Sequence, residues 1–165
     1  MVGSDGNGRV RIWTEKGTVT LPGINARAHD VNSAGTVVVG FRWQACPEPC
    51  GMYEVPMVWT LRNGTWNAQE LQALDGVDSE AYGVGEVNGQ TIIVGYGYTK
   101  RDSIMRAVVW KPDAQGKYAA PLRLGAVNGR SSAWARAADV NSSGYVVGTS
   151  AGNGLSVFAV RWKLP

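Results

Sequence analysis

A single cycle recurs along this chain, and only a fold built from repeated units can accommodate it. The cycle runs acidic residue, Val, Asn, a short Gly-containing turn, a β-branched run ending in Gly, a variable loop, and an apolar strand ending in Trp. Asp30-Val31-Asn32 leads to Val37-Val38-Val39-Gly40 and on to Met57-Val58-Trp59. Glu86-Val87-Asn88 leads to Ile92-Ile93-Val94-Gly95 and Val108-Val109-Trp110, and Asp139-Val140-Asn141 leads to Val146-Val147-Gly148 and Ala159-Val160-Arg161-Trp162. A beheaded copy opens the chain, with Val2-Gly3 followed by Val10-Arg11-Ile12-Trp13. The equivalent tryptophans, 13, 59, 110 and 162, are separated by 46, 51 and 52 residues. Such a period belongs to arrays and propellers.

Each full copy predicts four strands. The first approaches the acid-Val-Asn triplet, the second is the Val/Ile run, and the third ends at Trp. The fourth follows a turn at Gly17, Gly64 or Gly116 and carries Val19, Trp66 or Tyr118. In the second strands Val37, Val39, Phe41 and Trp43 share one face, matched by Ile92, Val94, Tyr96 and Tyr98, because side chains alternate along a strand. Gly40, Gly95 and Gly148 fall on the opposite face, where a bulge or a close backbone approach is expected. Asn32 to Gly35, Asn88-Gly89 and Asn141 to Gly144 supply residues that accept positive φ, so they predict hairpin turns. The one helical signal, Ala68 to Leu74, is a turn or two among strand-like neighbours.

Hairpins in series make four-stranded antiparallel meanders, and repeated meanders are blades of a β-propeller. The expected fold is therefore all-β, a β-propeller or propeller-like arc of about three and a half repeats. The 165 residues form one repeat domain, with a partial repeat 1–24, full repeats 25–76 and 77–128, and a partial repeat 129–165. That is fewer than the roughly four to eight blades of a closed ring. The expectations are a compressed ring, an arc completed by a second copy of the chain, or a piece of a longer array.

This core resembles the HAF repeat family of extracellular repeats. Ala137-Ala138-Asp139-Val140-Asn141-Ser142-Ser143-Gly144-Tyr145-Val146-Val147-Gly148 carries the likeness most closely, followed by the strand Val157 to Arg161 before Trp162, which lacks the family's His. The resemblance spans nearly the whole chain. It implies a propeller-like fold and a surface or secreted setting, and it implies no reaction.

Composition narrows the function classes. The chain is 44% hydrophobic and 18% charged, too apolar for a disordered segment. Its net charge of +3 comes from eleven Arg and five Lys scattered singly, without the clustered basic face that nucleic acid requires. No apolar run approaches the ~20 residues of a membrane span, and Met1 to Gly6 is not a signal peptide. No Gly-rich phosphate loop precedes a helix, and no cofactor is called for.

The residues able to carry function are few. Asp30, Glu86 and Asp139 share one repeat position, so in a propeller they ring the axis. Three carboxylates there can hold a hard cation such as Ca²⁺, or each can bond the backbone of its own turn. Trp43 and Tyr98 end equivalent strands at a rim, and Trp134 follows Ser131-Ser132-Ala133 in a linker. Flat aromatic faces beside Asn and Asp suit carbohydrate or peptide. His29 beside Asp30 is read as structural. Cys46 and Cys50, in the longest loop, are expected to form a local disulfide, since zinc needs about four ligands.

These residues make the leading expectation a non-enzymatic binding module. Its ligand would be a glycan, a peptide or a protein, held by Trp43, Tyr98, Trp134 and the Cys46–Cys50 loop. The alternatives are a self-assembling structural protein that forms a homo-oligomer through its incomplete terminal units, and a polysaccharide hydrolase or lyase that uses axial carboxylates.

Overall fold

The computed structural model describes residues 1–46, 51–129, 132–152 and 156–164. Among these residues there are fourteen strands, two 3-10 turns and no α-helix. The strands form four antiparallel sheets in chain order. The first holds β1 (Val2–Ser4), β2 (Val10–Thr14) and β3 (Gly17–Thr20). The second holds β4 (Ala26–Val31), β5 (Val37–Ala45), β6 (Met52–Arg62) and β7 (Thr65–Glu70). The third holds β8 (Ser79–Val87), β9 (Gln90–Tyr98), β10 (Met105–Trp110) and the short β11 (Leu122–Arg123). The fourth holds β12 (Ala135–Val140), β13 (Tyr145–Ala151) and β14 (Val157–Lys163). Among the described residues no sheet closes on itself.

Each of the two inner sheets buries one face against the sheet before it and the other against the sheet after it. Val10 and Ile12 pack with Ala26, Val38, Met57 and Trp59. Val37, Val39 and Val58 pack with Ala81, Val84, Ile93 and Trp110. Ile92, Val94, Ala107 and Val109 pack with Ala135, Ala137, Val140 and Val146. At every junction the second strand of one unit lies on the first strand of the next: β1 on β4, β5 on β8, β9 on β12. Burial is the dominant favourable contribution, about 25 cal/mol per Å² of apolar surface, and here one sheet alone cannot supply it.

The end sheets have one face uncovered. Trp59 and Trp110 are fully buried, whereas Trp13 is 36% exposed. Val39 and Val94 are likewise fully buried, whereas their counterpart Val147 is 48% exposed. The outward face of the last sheet is polar as well as apolar: the guanidinium of Arg161 and the ammonium of Lys163 both lie over the Tyr145 ring, at 5.2 and 4.5 Å.

A bulge at the same place marks three units. The register shifts between Ala28 and Asp30, Ala81 and Gly83, and Ala137 and Asp139, so His29, Tyr82 and Ala138 are the extra residues. Opposite each bulge stands the expected glycine, paired as Ala28–Gly40, Ala81–Gly95 and Ala137–Gly148. A Cβ on any of these glycines would approach a backbone carbonyl, of Arg27, Glu80 or Arg136, closer than the 3.0 Å that real Cβ atoms keep. The glycines are there for close backbone approach.

Two sequence expectations are corrected by the pairing. Glu86 is not register-equivalent to Asp30 and Asp139. That position in the third sheet is Gly83, and Glu86 pairs with Thr91 nearer the hairpin tip. The cause is the tight two-residue turn at Asn88-Gly89, with φ of 50° and 75°, which extends this hairpin beyond the other two. The second correction concerns Tyr118, which was expected on a fourth strand. It instead makes an isolated bridge with Pro112, and the fourth strand of that sheet is Leu122–Arg123. The helical signal at Ala68 to Leu74 resolves into the end of β7 and a 3-10 turn at Leu74–Gly76.

Candidate functional site

The unit period places aromatic second strands side by side at one end of neighbouring sheets. A continuous run of rings results. Trp43 meets Phe41 edge-on at 4.9 Å, Phe41 stacks on His29 at 5.4 Å, and His29 stacks on Tyr82 at 4.2 Å. Tyr82 leads to Tyr96 at 6.3 Å, and Tyr96 meets Tyr98 edge-on at 6.0 Å. These are ordinary separations for attractive aromatic pairs. Arg27 covers Trp43 at 5.0 Å and Arg136 covers Tyr82 at 4.6 Å, both within cation–π reach.

Beneath the run lies an acid pair from two different sheets. His29 Nε2 is 2.7 Å from Glu80 Oε2, and the Tyr96 hydroxyl donates to Glu80 Oε1. Glu54, on β6, is hydrogen-bonded to Glu80. Burial, the Glu80 charge and that hydrogen bond push the Glu54 carboxyl up to about 7. Burial also acts to raise Glu80, but the bonds from His29 and Tyr96 outweigh it and hold Glu80 below the ordinary carboxylate range. Burial and the bond to Glu80 raise Tyr96 far above the usual phenol range, so it stays a donor.

Glu54 on β6 and Glu80 on β8 couple the second sheet to the third. The stability signature of the pair has a definite sign. Glu54 has a folded pKa above its ordinary 4.5, so its stabilisation is present below 4.5 and is lost as pH rises through about 7. Glu80 acts oppositely, and its contribution is lost as pH falls below the ordinary value. Thermal unfolding is expected to show a lower Tm at pH 8 than at pH 5.5. Glu54→Gln should flatten that difference by on the order of 1 kcal/mol, discounted for partial exposure. An unchanged slope in the variant would contradict the assignment.

Asp30, Glu86 and Asp139 each accept hydrogen bonds from protein donors. Asp30 accepts its own Val31 N–H at 2.8 Å and, across the junction, the Val84 N–H at 2.9 Å. Asp139 accepts the Val140 N–H at 2.7 Å. Glu86 accepts from the Asn32 amide at 3.1 Å and the Thr91 hydroxyl at 2.8 Å. Asp30 and Glu86 thus tie the second sheet to the third, while Asp139 stays in its own turn. Among the described residues no group of three or more His, Cys, Asp or Glu is arranged to hold a metal.

Tyr98 and Trp134 come together. With Ser103, Ile104, Met105 and Ser132 they line an apolar cleft of about 360 Å³. Trp134 is held there from both sides. The Arg106 guanidinium donates to the Ala133 carbonyl at 2.9 Å, and the Trp134 carbonyl accepts the Ala151 N–H at 2.9 Å and the Ser150 hydroxyl at 3.2 Å. Trp43 lies at the other end of the aromatic run. The base of its neighbouring loop is closed by the Cys46 N–H donating to Gly51 O at 2.9 Å. Cys50, the second half of the expected disulfide, lies outside the described residues.

Sequence reasoning missed Glu54, Glu80, Tyr82 and Tyr96 as a group. Tyr96 was visible only as a strand residue, and the bulge that turns Tyr82 toward His29 leaves no local mark except the glycine opposite. No family model matches this chain, and no curated protein matches it. Among the described residues no helix is long and apolar enough to cross a membrane.

Proposed function

We propose that this chain is a non-enzymatic binding module, a propeller-like arc that holds a glycan strand against the aromatic end of its third and fourth sheets. The observation that carries the reading is the cleft shared by Tyr98 and Trp134, residues from different units that present flat faces to one space. Aromatic residues on a rigid sheet scaffold offer contact area at low conformational cost. The likeness to HAF repeats belongs to the same proposal, as does an extracellular or cell-surface setting.

The alternatives have less support. A hydrolase or lyase built on Asp30, Glu86 and Asp139 would need carboxylates converging on substrate, whereas Asp30 and Glu86 are committed to donors across the junction of the second and third sheets and Asp139 bonds the N–H of Val140. Self-assembly would pair the outward face of the last sheet, with Arg161 and Lys163, against a first sheet that carries Arg11. Asp5 is already paired with Arg11 at 2.8 Å, so that carboxylate offers no counter-charge to Arg161 and Lys163.

Trp134→Ala is expected to lower affinity for a bound polysaccharide at least tenfold, about 1.4 kcal/mol, with little change in Tm. Calorimetric titration against a panel of soluble polysaccharides checks this. Undiminished binding in a folded Trp134→Ala protein would overturn the reading.

A further inference from the structure

Beside the aromatic cleft lies a second one, of about 620 Å³, and the two share Ile104 and Ser132 in their walls. Its lining includes Arg101, Arg106 and Arg123 with Asp75 and Asp102. We infer that these adjoining clefts form one site for an acidic polysaccharide, in which Tyr98 and Trp134 take a sugar ring and the arginines take its carboxylate. The inference rests on the glycan reading above and names its ligand class.

The hydrogen bonding decides which charges remain available. Asp102 is engaged by three donors: it accepts from the Thr99 hydroxyl, from the Ile104 N–H at 3.1 Å and from Arg106 Nη2 at 2.8 Å. The Thr99 bond is the foremost reason its carboxyl stays below the ordinary value. Asp75 is engaged by Arg123 through Nη2 alone, at 3.2 and 3.0 Å. A guanidinium carries five N–H donors in a fixed fork, so Arg123 keeps donors to offer. Arg101 makes no ion pair among the described residues and is exposed. Both acids are neutralised by arginines they also position, and the cleft is left with the surplus charge of Arg101.

That pattern fits a carboxylate better than a neutral hydroxyl. Forked guanidinium donors match the two oxygens of a carboxylate, and charge-assisted bonds are about twice as strong as neutral ones. Arg106 links the two functions: its Nη1 anchors the Ala133 carbonyl beside Trp134, while its Nη2 holds Asp102. The sugar-stacking surface and the anion-binding surface are thus held in one geometry.

The test uses the whole chain with three probes: polygalacturonate, its fully methyl-esterified neutral form, and polyglutamate. The inference expects polygalacturonate to bind at least tenfold more tightly than the ester. It also expects Arg101→Gln and Arg123→Gln each to remove about fivefold or more of that preference while ester binding stays unchanged. Trp134→Ala should weaken both polysaccharides. Equal binding of acid and ester, insensitive to Arg101→Gln, would overturn the inference and leave the glycan reading standing. Polyglutamate binding as tightly as polygalacturonate would also overturn it, because charge alone would then suffice. Absence of binding to any polysaccharide would overturn the glycan reading itself, and the inference with it.

Discussion

Gly95→Ala should leave little folded protein. The added methyl would sit closer to the Glu80 carbonyl oxygen than the 3.0 Å limit, and its next neighbours are the Glu80 carbonyl carbon and the Cα of Ala81, so the obstacle is backbone on the paired strand. No side chain can swing aside to relieve it. Either the bulge at Ala81 to Gly83 is lost or β8 and β9 separate, and both strands carry core residues of two junctions. The expected cost is about 4 kcal/mol or more, in the range reserved for backbone and core disruption. A domain of this size has roughly 5–15 kcal/mol in total. Gly125→Ala, where the new Cβ meets nothing within 4 Å, should shift stability by no more than about 0.5 kcal/mol. Chemical unfolding of the two variants checks the contrast. Comparable stability of both would mean that the bulge is not built as described.

Trp110→Ala is the second large effect. The indole is fully buried between the second and third sheets, against Val37, Val39 and Val58, and its Nε1–H donates to Gln72 O at 2.8 Å. Truncation removes the packing, opens a cavity and strands a carbonyl, at an expected cost of about 3–5 kcal/mol. Trp59 repeats the arrangement one unit earlier, donating to Pro22 O at 2.8 Å, and Trp162 repeats it one unit later toward Gly125 O. Trp13 holds the same position in the first sheet with one side uncovered, so Trp13→Ala should cost only about 1 kcal/mol. Equal losses at positions 13 and 110 would contradict the stacking of the sheets.

The period made the fold class legible. Four Trp strands, the Val/Ile runs and the Asn/Gly turns all point to antiparallel sheets, and the glycines at 40, 95 and 148 mark the close approach that lies opposite each bulge. Motif alignment misled where turn geometry varies between units. Glu86-Val87-Asn88 reads like Asp30-Val31-Asn32, yet pairing follows the hydrogen-bond register, and the two-residue turn at Asn88-Gly89 carries Glu86 away from the bulge.

The site was legible in part. Tyr98 and Trp134 were recognisable as aromatics off the repeat pattern, although only the fold brings them into one cleft. The Glu54–Glu80–His29–Tyr96 cluster was not recognisable. Its members come from β6, β8, β4 and β9, and no spacing along the chain encodes contacts across a junction between sheets. The arginine cleft forms within the third unit, where Arg123 on β11, paired with β10, lines one cleft with Arg101 from the turn before β10.

Solvent footprinting of the four equivalent tryptophans, read residue by residue by mass spectrometry on the native chain, tests the ordered stack of sheets most directly. The account predicts that Trp59 and Trp110 stay unmodified while Trp13 reacts, in keeping with full burial against 36% exposure. Modification of Trp59 and Trp110 at the rate of Trp13 would contradict it.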